Sequence, residues 1–200
     1  MQRVYSLISK AKVFRDILLS PIIDQVMKHM FYRETFHDKY YLTSFHANLL
    51  EPKSSSQIWH IDANVPEPIP PWIIRFNTNY ITQEYTKEGG STEVIPGSHL
   101  WNRKPNAEEA EKGIPEAESV FLEASKGSIA FWHGHLWHRS GENKTEITRV
   151  ALLGAYTASH LREVSLEENP YRNLNINIIE DLSDELKRVI GWDHGAKYYY

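Results

Sequence analysis

Short runs of residues with a repeat of two constrain the fold of this chain more than any other feature. The first run begins at Tyr40, where residues suited to a pleated, half-buried surface recur at every second position: Tyr41, Thr43, Phe45, Ala47 and Leu49. Six more strand-like runs follow it: Gln57–Ile61, Ile73–Ile81, Thr92–Ile95, Ser119–Glu123, Ser128–His133 and Ile147–Tyr156. Turn signals rich in glycine and proline separate the runs, so the sequence predicts a sandwich or barrel of many short strands.

Helical patterns lie at the two ends of the chain. Apolar residues recur at helical spacing between Val13 and Leu18, and Ser20 followed by Pro21 is typical of an N-cap with proline at the first helical position. Near the other end, Ser183 is placed to cap a short helix that closes at Gly191. We interpret these helices as packing elements that cover a sheet.

The predicted fold class is therefore mainly β with flanking helices, and a double-sheet jelly roll is the simplest such architecture. We expect a single domain over residues 1–200, with a helical flank at 1–39, a jelly-roll core at 40–160 and a C-terminal tail at 161–200 that contains a short helix. The charged, Ala/Glu-rich stretch 102–118 is interpreted either as a short helix or as a loop.

Composition excludes several classes of function. A net charge of -4 and the lack of any basic stripe argue against nucleic acid as the main partner. No run of about 18 apolar residues and no signal core occur, so we expect a cytoplasmic protein that acts on a small molecule and does not associate with membranes. The chain has no cysteine, so any metal must take His, carboxylate or water ligands.

His60-Ile61-Asp62 is the strongest candidate for a functional site. Side chains two residues apart in a strand point to the same face, so His60 and Asp62 would offer an imidazole nitrogen and a carboxylate oxygen side by side. Two His and one carboxylate form the facial triad of non-haem Fe(II) oxygenases, which leaves coordination positions for substrate and dioxygen. A His and an Asp at this spacing are also frequent by chance, so the pair needs independent support.

A third ligand has to come from a distant strand. The segment 131–138 contains His133, His135 and His138. Spacing does not choose among them, and for two of the three the ordinary interpretation is a core histidine among aromatic residues.

Arg149 provides the independent support. It lies eleven residues after His138 and begins an apolar strand. Burying an unpaired guanidinium is costly, and a carboxylate bound by two hydrogen bonds is its natural partner. That carboxylate belongs either to a protein Asp or Glu or to a ligand.

Three blocks of residues together resemble the phytanoyl-CoA dioxygenase family. The first is His60-x-Asp62, the second is E-G-G-S-T-x-x-x-P-G-S-H from Glu88 to His99, and the third is L-W-H-R-S-G-x-N-x-T-x-x-x-R over residues 136–149. Their order and spacing match the family, and the resemblance extends from about Tyr40 to the C-terminus. The residues Leu161-Arg162-Glu163 and the closing short helix resemble the tail of a bacterial branch of the family.

The resemblance implies a double-stranded β-helix, the cupin-like form of the jelly roll, with Fe(II), 2-oxoglutarate and dioxygen as cofactor and co-substrates. It implies that His60, Asp62 and His138 bind the iron and that Arg149 and Ser140 bind the distal carboxylate of 2-oxoglutarate. Three carboxamides are implied near the co-substrate: Asn48, Gln57 and Asn79. His99 is not expected to bind iron.

The resemblance also implies a reaction, the hydroxylation of a C–H bond of a small organic substrate with release of succinate and CO2. Related halogenases carry a small residue where this chain has Asp62, so hydroxylation is favoured over halogenation. Family members usually carry a further stretch of chain before the first helix, and this chain is expected to lack it.

Three alternatives stay open at this point. A cupin-type metalloenzyme would use the same ligands without 2-oxoglutarate, and Arg149 and Ser140 argue against it. A jelly-roll binding protein without catalytic activity would have kept the fold alone, and the complete triad argues against it. A carbohydrate-binding sandwich would have no reason to hold this pattern of His, Asp and Arg.

Overall fold

The computed structural model describes residues 1–32, 40–63, 65–114, 117–158, 161, 174 and 176–192. Its helices are α1 Leu7–Lys10, α2 Lys12–Leu18, α3 Pro21–Phe31, α4 Ala107–Lys112, α5 Ile176–Glu180 and α6 Asp184–Val189, with a 3-10 turn at Ser98–Trp101. Its strands are β1 Gln2–Val4, β2 Tyr40–Leu50, β3 Arg75–Ile81, β4 Thr92–Val94, β5 Val120–Phe121, β6 Ile129–His133, β7 His138–Ser140 and β8 Arg149–Ala158. Within these residues, no helix is long and apolar enough to cross a membrane.

The strands form two sheets. Five strands pair in the order β1-β2-β8-β3-β6, and three pair in the order β5-β4-β7. In the antiparallel pair β3 and β6, Asn77 lies opposite Trp132, and in the pair β4 and β7, Val94 lies opposite His138. The prediction of a mainly β fold with flanking helices is confirmed.

The chain forms two compact units, and strands β2 and β8 contribute residues to both. The first unit comprises residues 1–3 and 48–152, and part of its core is a buried cluster of Trp59, Ile95 and Trp137. All the predicted site residues belong to this unit. The second unit comprises residues 4–47 and 153–200, and it contains α1 to α3, α5 and α6.

Helix α3 of the second unit begins where the sequence predicts. Ser20 is the N-cap residue and Pro21 the first helical residue, although the Ser20 side chain accepts no capping hydrogen bond. The helix buries Ile23, Met27 and Phe31, which recur every four residues and therefore share one face. The predicted cap of α6 is also confirmed, since the Ser183 side chain accepts a hydrogen bond from a backbone N–H in the first turn.

Several predicted elements need correction. The prediction of a strand at Gln57–Ile61 is wrong, because only His60 pairs there, in an isolated bridge. The backbone N–H of Trp59 donates instead to the carbonyl of Ala110 at 2.7 Å, which interrupts the ladder. The stretch 102–118 contains a short helix, α4, that begins at a capping box, and strand β7 was not predicted. Residues 162 and 163 of the predicted tail lie outside the described residues.

Asn143 organises the turn that separates β7 from β8. It is fully buried, and its Nδ2 donates to the carbonyls of Leu50 at 3.0 Å, Glu51 at 3.2 Å and Ile147 at 2.9 Å. Its Oδ1 accepts hydrogen bonds from both the backbone N–H and the hydroxyl of Thr145. One side chain therefore satisfies five polar groups and fixes the turn that leads into Arg149.

We predict that Asn143→Ala lowers the free energy of unfolding by at least about 2 kcal/mol, because it removes five hydrogen bonds made by one fully buried side chain. Urea denaturation of the parent and variant measures the difference. The matched control is Gln25→Ala, which also removes a carboxamide, since Gln25 is exposed on helix α3. Equal losses in the two variants would contradict this role for Asn143.

Candidate metal centre

His60 and His138 face each other across an antiparallel bridge. The backbone N–H of each residue donates to the carbonyl of the other at 3.0 Å, and the centroids of the two imidazoles are 4.4 Å apart. His138 begins β7, whereas His60 lies in an irregular segment. The backbone pairing therefore brings two imidazoles together from positions 78 residues apart in sequence (138 − 60 = 78).

Asp62 completes the group from the same segment. Its backbone N–H donates to the carbonyl of Gly134 at 2.9 Å, in the turn that follows β6. Its carboxylate lies 3.2 Å from Nε2 of His138 through Oδ2 and 3.8 Å from Nε2 of His60 through Oδ1. One ligand atom from each of the three residues lies within 4.8 Å of the others, so the trio has the dimensions of a metal site.

The two imidazoles are held in the tautomer that a metal requires. Nδ1 of His60 lies 2.9 Å from the carbonyl of Ile58, and Nδ1 of His138 lies 2.9 Å from the carbonyl of Leu136. A carbonyl only accepts, so both Nδ1 atoms carry a proton and donate it. The Nε2 atoms are left to act as ligands, and the Nδ1 hydrogen bonds fix the orientation of each ring.

Electrostatics keep the carboxylate ionised. Burial raises the pKa of Asp62, but the charge and hydrogen bond of His138, with Arg75 and His60, bring it below its ordinary value. Burial lowers the pKa of His138, but the charge of Asp62 and their hydrogen bond outweigh burial and raise it. Burial and the neighbouring His138 lower the pKa of His60, which favours its neutral form. A metal ion bound here would therefore coordinate an ionised carboxylate and a neutral His60, and it would compete with a proton for His138.

The other two histidines of the segment lie outside this trio. Nδ1 of His133 accepts a hydrogen bond from the backbone N–H of His135 at 3.0 Å, so His133 carries its proton on Nε2 and has no lone pair left for a metal. His133 lies next to Trp132 in β6, and the ring of Trp132 is 5.6 Å from that of His138. Adjacent strand residues point to opposite faces, so His133 points away from His138.

His133 packs instead with His99 and His135, with ring centroids 5.4 and 4.6 Å away. Burial and the two neighbouring imidazoles lower the pKa of His133 to about 4. Burial and His99 lower the pKa of His135 as well. This group is therefore a packed cluster in which His133 and His135 favour their neutral forms.

We predict that this cluster makes the protein less stable in mild acid. The unfolded chain takes up a proton on His133 near pH 6.5, whereas the folded chain resists it until about pH 4, so the free energy of unfolding falls as the pH drops between about 6.5 and 4. His133→Asn keeps an acceptor for His135 but cannot titrate, so its stability should fall less steeply. Urea denaturation across this pH range measures both slopes, and identical slopes would refute the prediction.

Arg149 is the buried cation of this unit. It is 3% exposed, and its guanidinium donates to the carbonyl of Gly90 at 2.7 Å and to the hydroxyl of Ser140. It also lies 5.4 Å from the ring centroid of Tyr85. Its Nε has no partner, and no carboxylate pairs with it among the residues that the structure describes. The intramolecular salt bridge considered from the sequence is thus not formed there.

The three predicted carboxamides occupy different settings. Gln57 is joined to Ser140 twice, since its N–H donates to the Ser140 carbonyl at 3.0 Å and its Oε1 accepts from the Ser140 N–H at 3.1 Å. Asn48 and Asn79 are buried, and neither Oδ1 of Asn48 nor either polar atom of the Asn79 side chain has a partner in the described part of the chain. No hydrogen bond there joins them to Arg149 or to the trio.

The structure adds residues that the sequence interpretation missed. Asn77 donates to Oδ2 of Asp62 at 2.9 Å, and Arg75 donates to Asn77 at 3.0 Å. The sequence contains a signal for them, because polar residues occupy every second position at the start of this strand: Arg75, Asn77 and Asn79. Tyr85, which packs against Arg149, has no comparable signal.

The chain matches a protein-family model over most of its length. The phytanoyl-CoA dioxygenase (PhyH) family model matches residues 2–151, three quarters of the chain. The chain belongs to the phytanoyl-CoA dioxygenase family. The resemblance drawn from the three sequence blocks is therefore confirmed.

Two fungal relatives match nearly the whole of this chain. Dioxygenase af480 of Aspergillus fumigatus is 32% identical over 195 residues, which cover 96% of this chain and 59% of that protein. The iron/alpha-ketoglutarate-dependent dioxygenase ausO of Aspergillus calidoustus is 29% identical over 197 residues, which cover 94% of this chain and 62% of that protein. The chain thus spans about three fifths of the length of each relative.

A solved structure from this group of folds supports the architecture. The epimerase SnoN, in complex with Fe3+, alpha-ketoglutarate and nogalamycin RO, matches with a TM-score of 0.62 at 17% identity. The match covers 78% of this chain and 63% of that one. The likeness confirms the predicted cupin-like jelly roll.

Proposed function

We propose that this chain is an Fe(II)- and 2-oxoglutarate-dependent dioxygenase that hydroxylates a C–H bond of a small organic substrate and releases succinate and CO2. The observation that supports it most is the convergence of His60, Asp62 and His138, with each Nδ1 hydrogen-bonded to a carbonyl and both Nε2 atoms next to an ionised carboxylate. Membership in the phytanoyl-CoA dioxygenase family gives this trio its chemical context.

The donor set fits ferrous iron. Two neutral imidazole nitrogens and one carboxylate on one side of an ion form the facial triad typical of non-haem Fe(II) oxygenases. Iron bound there would supply the activation of dioxygen, coupled to oxidative decarboxylation of 2-oxoglutarate. The chain's own residues contribute orientation, since the carbonyls of Ile58 and Leu136 hold the imidazole rings.

Arg149 fits the distal carboxylate of 2-oxoglutarate. Its guanidinium is buried, its Nε is unpaired, and the hydroxyl of Ser140 lies beside it. A carboxylate that accepts from a guanidinium and a hydroxyl in a buried setting forms charge-assisted hydrogen bonds, which are the strongest available to it. Gln57 would act through Ser140, whose backbone it holds.

The unpaired atoms of Asn48 and Asn79 belong to the same proposal. Buried polar groups in folded proteins almost always have a partner, so orphaned carboxamides mark a place where a polar ligand or water is expected. We propose that both face the co-substrate.

The alternatives receive less support. A cupin-type enzyme that does not use 2-oxoglutarate would offer no co-substrate carboxylate to pair with the buried charge of Arg149. A carboxylate ligand at position 62 favours hydroxylation over halogenation. An inactive binding protein would have no need to keep both imidazoles in the metal-binding tautomer.

We predict that Mn(II), as an inert substitute for Fe(II), stabilises the parent protein. A metal at one hundred times its dissociation constant adds about 2.7 kcal/mol to the free energy of unfolding when it binds only the folded chain. His60→Ala and His138→Ala should abolish the shift in thermal melting, whereas His99→Ala should keep it. No shift in the parent at saturating Mn(II) would disprove the site, and a shift that survives His138→Ala would disprove the assigned third ligand.

We predict that Arg149→Lys weakens 2-oxoglutarate binding about 10- to 100-fold, because lysine keeps the charge but loses one charge-assisted hydrogen bond, worth roughly 1.5–3 kcal/mol. Arg149→Ala should weaken it further. The assay is anaerobic titration of the Fe(II)–2-oxoglutarate charge-transfer absorbance, with metal affinity measured separately as the control. If Arg149→Ala binds 2-oxoglutarate as tightly as the parent, Arg149 is a structural residue and the cupin-type alternative is favoured.

A further inference from the structure

We propose that Asn77, held in place by Arg75, positions the Asp62 carboxylate so that only its Oδ1 is available to the metal. The inference rests on the proposed function, since it assumes that Asp62 is a metal ligand. It adds two positioning residues on strand β3, neither of which belongs to the trio or to the predicted co-substrate contacts.

The hydrogen bonds run in one direction through the three side chains. Nε of Arg75 donates to Oδ1 of Asn77 at 3.0 Å, and Nδ2 of Asn77 donates to Oδ2 of Asp62 at 2.9 Å. Arg75 has only donors and an ionised carboxylate has only acceptors, so the carboxamide between them can adopt only one of its two orientations. The guanidinium therefore fixes which end of Asn77 meets Asp62.

The two oxygens of Asp62 are consequently unequal. Oδ2 accepts from Asn77 and lies 3.2 Å from Nε2 of His138, whereas Oδ1 has no hydrogen bond among the described residues. An oxygen whose lone pair already accepts an N–H is a weaker donor to a metal than a free oxygen. Asn77 thus favours coordination through one oxygen and opposes a bidentate carboxylate, which would occupy a further position on the ion.

We call the hydrogen-bonded series from Arg75 through Asn77 to Asp62 the relay. The backbone restricts the positions of its three residues. Arg75 and Asn77 are two residues apart in β3 and share a face, and β3 pairs with β6. The carbonyl of Arg75 accepts the N–H of Gly134 at 2.7 Å, and the carbonyl of Gly134 accepts the N–H of Asp62 at 2.9 Å. The same end of β3 therefore holds Asp62 twice, by its backbone through Gly134 and by its side chain through Asn77.

Gly134 permits this close approach. A Cβ at that position would lie 2.7 Å from both the Cβ and the carbonyl oxygen of Arg75, so any larger residue would push β3 away from the turn. The contact links the backbone of Arg75 to that of Asp62 across a single residue. It also explains why a strand residue on β3 reaches a carboxylate that comes from an irregular segment.

A purely structural role for Asn77 is the competing explanation. Asn77 is 3% exposed, and a buried carboxamide needs partners whether or not a metal binds. The test must therefore include a readout that stability alone does not change. The coordination of the ion itself provides that readout.

The experiment compares the parent with Asn77→Leu, Arg75→Gln and Arg75→Lys, with Asn102→Asp as the exposed control. Calorimetric titration with Mn(II) gives the affinity, and the visible absorption spectrum of the Co(II)-loaded protein reports the number and geometry of the ligands. Loss of a group that orients a metal ligand typically costs about 10- to 100-fold in metal affinity. We expect a loss of this size in Asn77→Leu together with an altered Co(II) spectrum, and the parent affinity and spectrum in Asn102→Asp.

The Arg75 variants test the relay separately, in case Asn77→Leu does not fold. Arg75→Gln should weaken Mn(II) binding, and Arg75→Lys should restore it only in part, because lysine keeps the charge but not the directed Nε donor. Combining Arg75→Gln with Asn77→Leu should cost less affinity than the sum of the two single losses, since part of the effect of Arg75 passes through Asn77.

The outcomes separate this inference from the proposed function. If the parent does not bind Mn(II) or Co(II), the proposed function fails and the inference fails with it. If the parent binds both ions, and the folded Asn77→Leu and Arg75→Gln variants bind them with parental affinity and spectrum, the proposed function stands and the positioning role is overturned.

Discussion

The backbone pairing between the segment 57–62 and the chain from Gly134 to Ser140 is the constraint on which the rest of the site depends. Three N–H groups of the irregular segment donate across it: Gln57 to Ser140 at 3.0 Å, His60 to His138 at 3.0 Å and Asp62 to Gly134 at 2.9 Å. These bonds fix the segment although it forms no continuous strand. The candidate ligands are therefore held by main-chain geometry before any metal arrives, which reduces the reorganisation that binding requires.

The charged side chains Asp62 and Arg149 have different kinds of partners. Asp62 is balanced by His138, and Asn77 satisfies one of its oxygens. Among the residues that the structure describes, the partners of Arg149 are neutral, namely a carbonyl, a hydroxyl and an aromatic ring. These contacts offset part of the cost of burying a guanidinium, and the proposed carboxylate of the co-substrate would offset the remainder.

The sequence predicted which residues lie together in the site better than it predicted their local structure. His60 and Asp62 lie side by side as expected, but the strand that was used to argue for it does not exist. The choice among His133, His135 and His138 depends on which face of β6 points inward and on a turn of four residues after it. Periodicity within the segment does not encode that choice, because the deciding contacts, from Trp132 to His138 and from His135 to His133, are tertiary or local to the turn.

Other features were beyond prediction for a different reason. Asn77 and Arg75 are recognisable as polar residues in a buried strand, but their partner is 13 to 15 residues earlier in the chain (75 − 62 = 13; 77 − 62 = 15) and lies in an irregular segment. Asn143, in contrast, belongs to a block that the sequence already singled out. Its five hydrogen bonds explain in physical terms why an asparagine stands in that block, since one side chain serves as donor and acceptor for two separate stretches of the chain, residues 50–51 and 145–147.

Strand β7 carries both a proposed metal ligand and a proposed contact to 2-oxoglutarate. His138 and Ser140 are two residues apart in it and share a face, and Ser140 carries the hydroxyl that meets Arg149. The proposed metal ligand and the hydroxyl beside Arg149 therefore lie on one face of β7, which the proposed binding of a single 2-oxoglutarate molecule to both the metal and Arg149 requires.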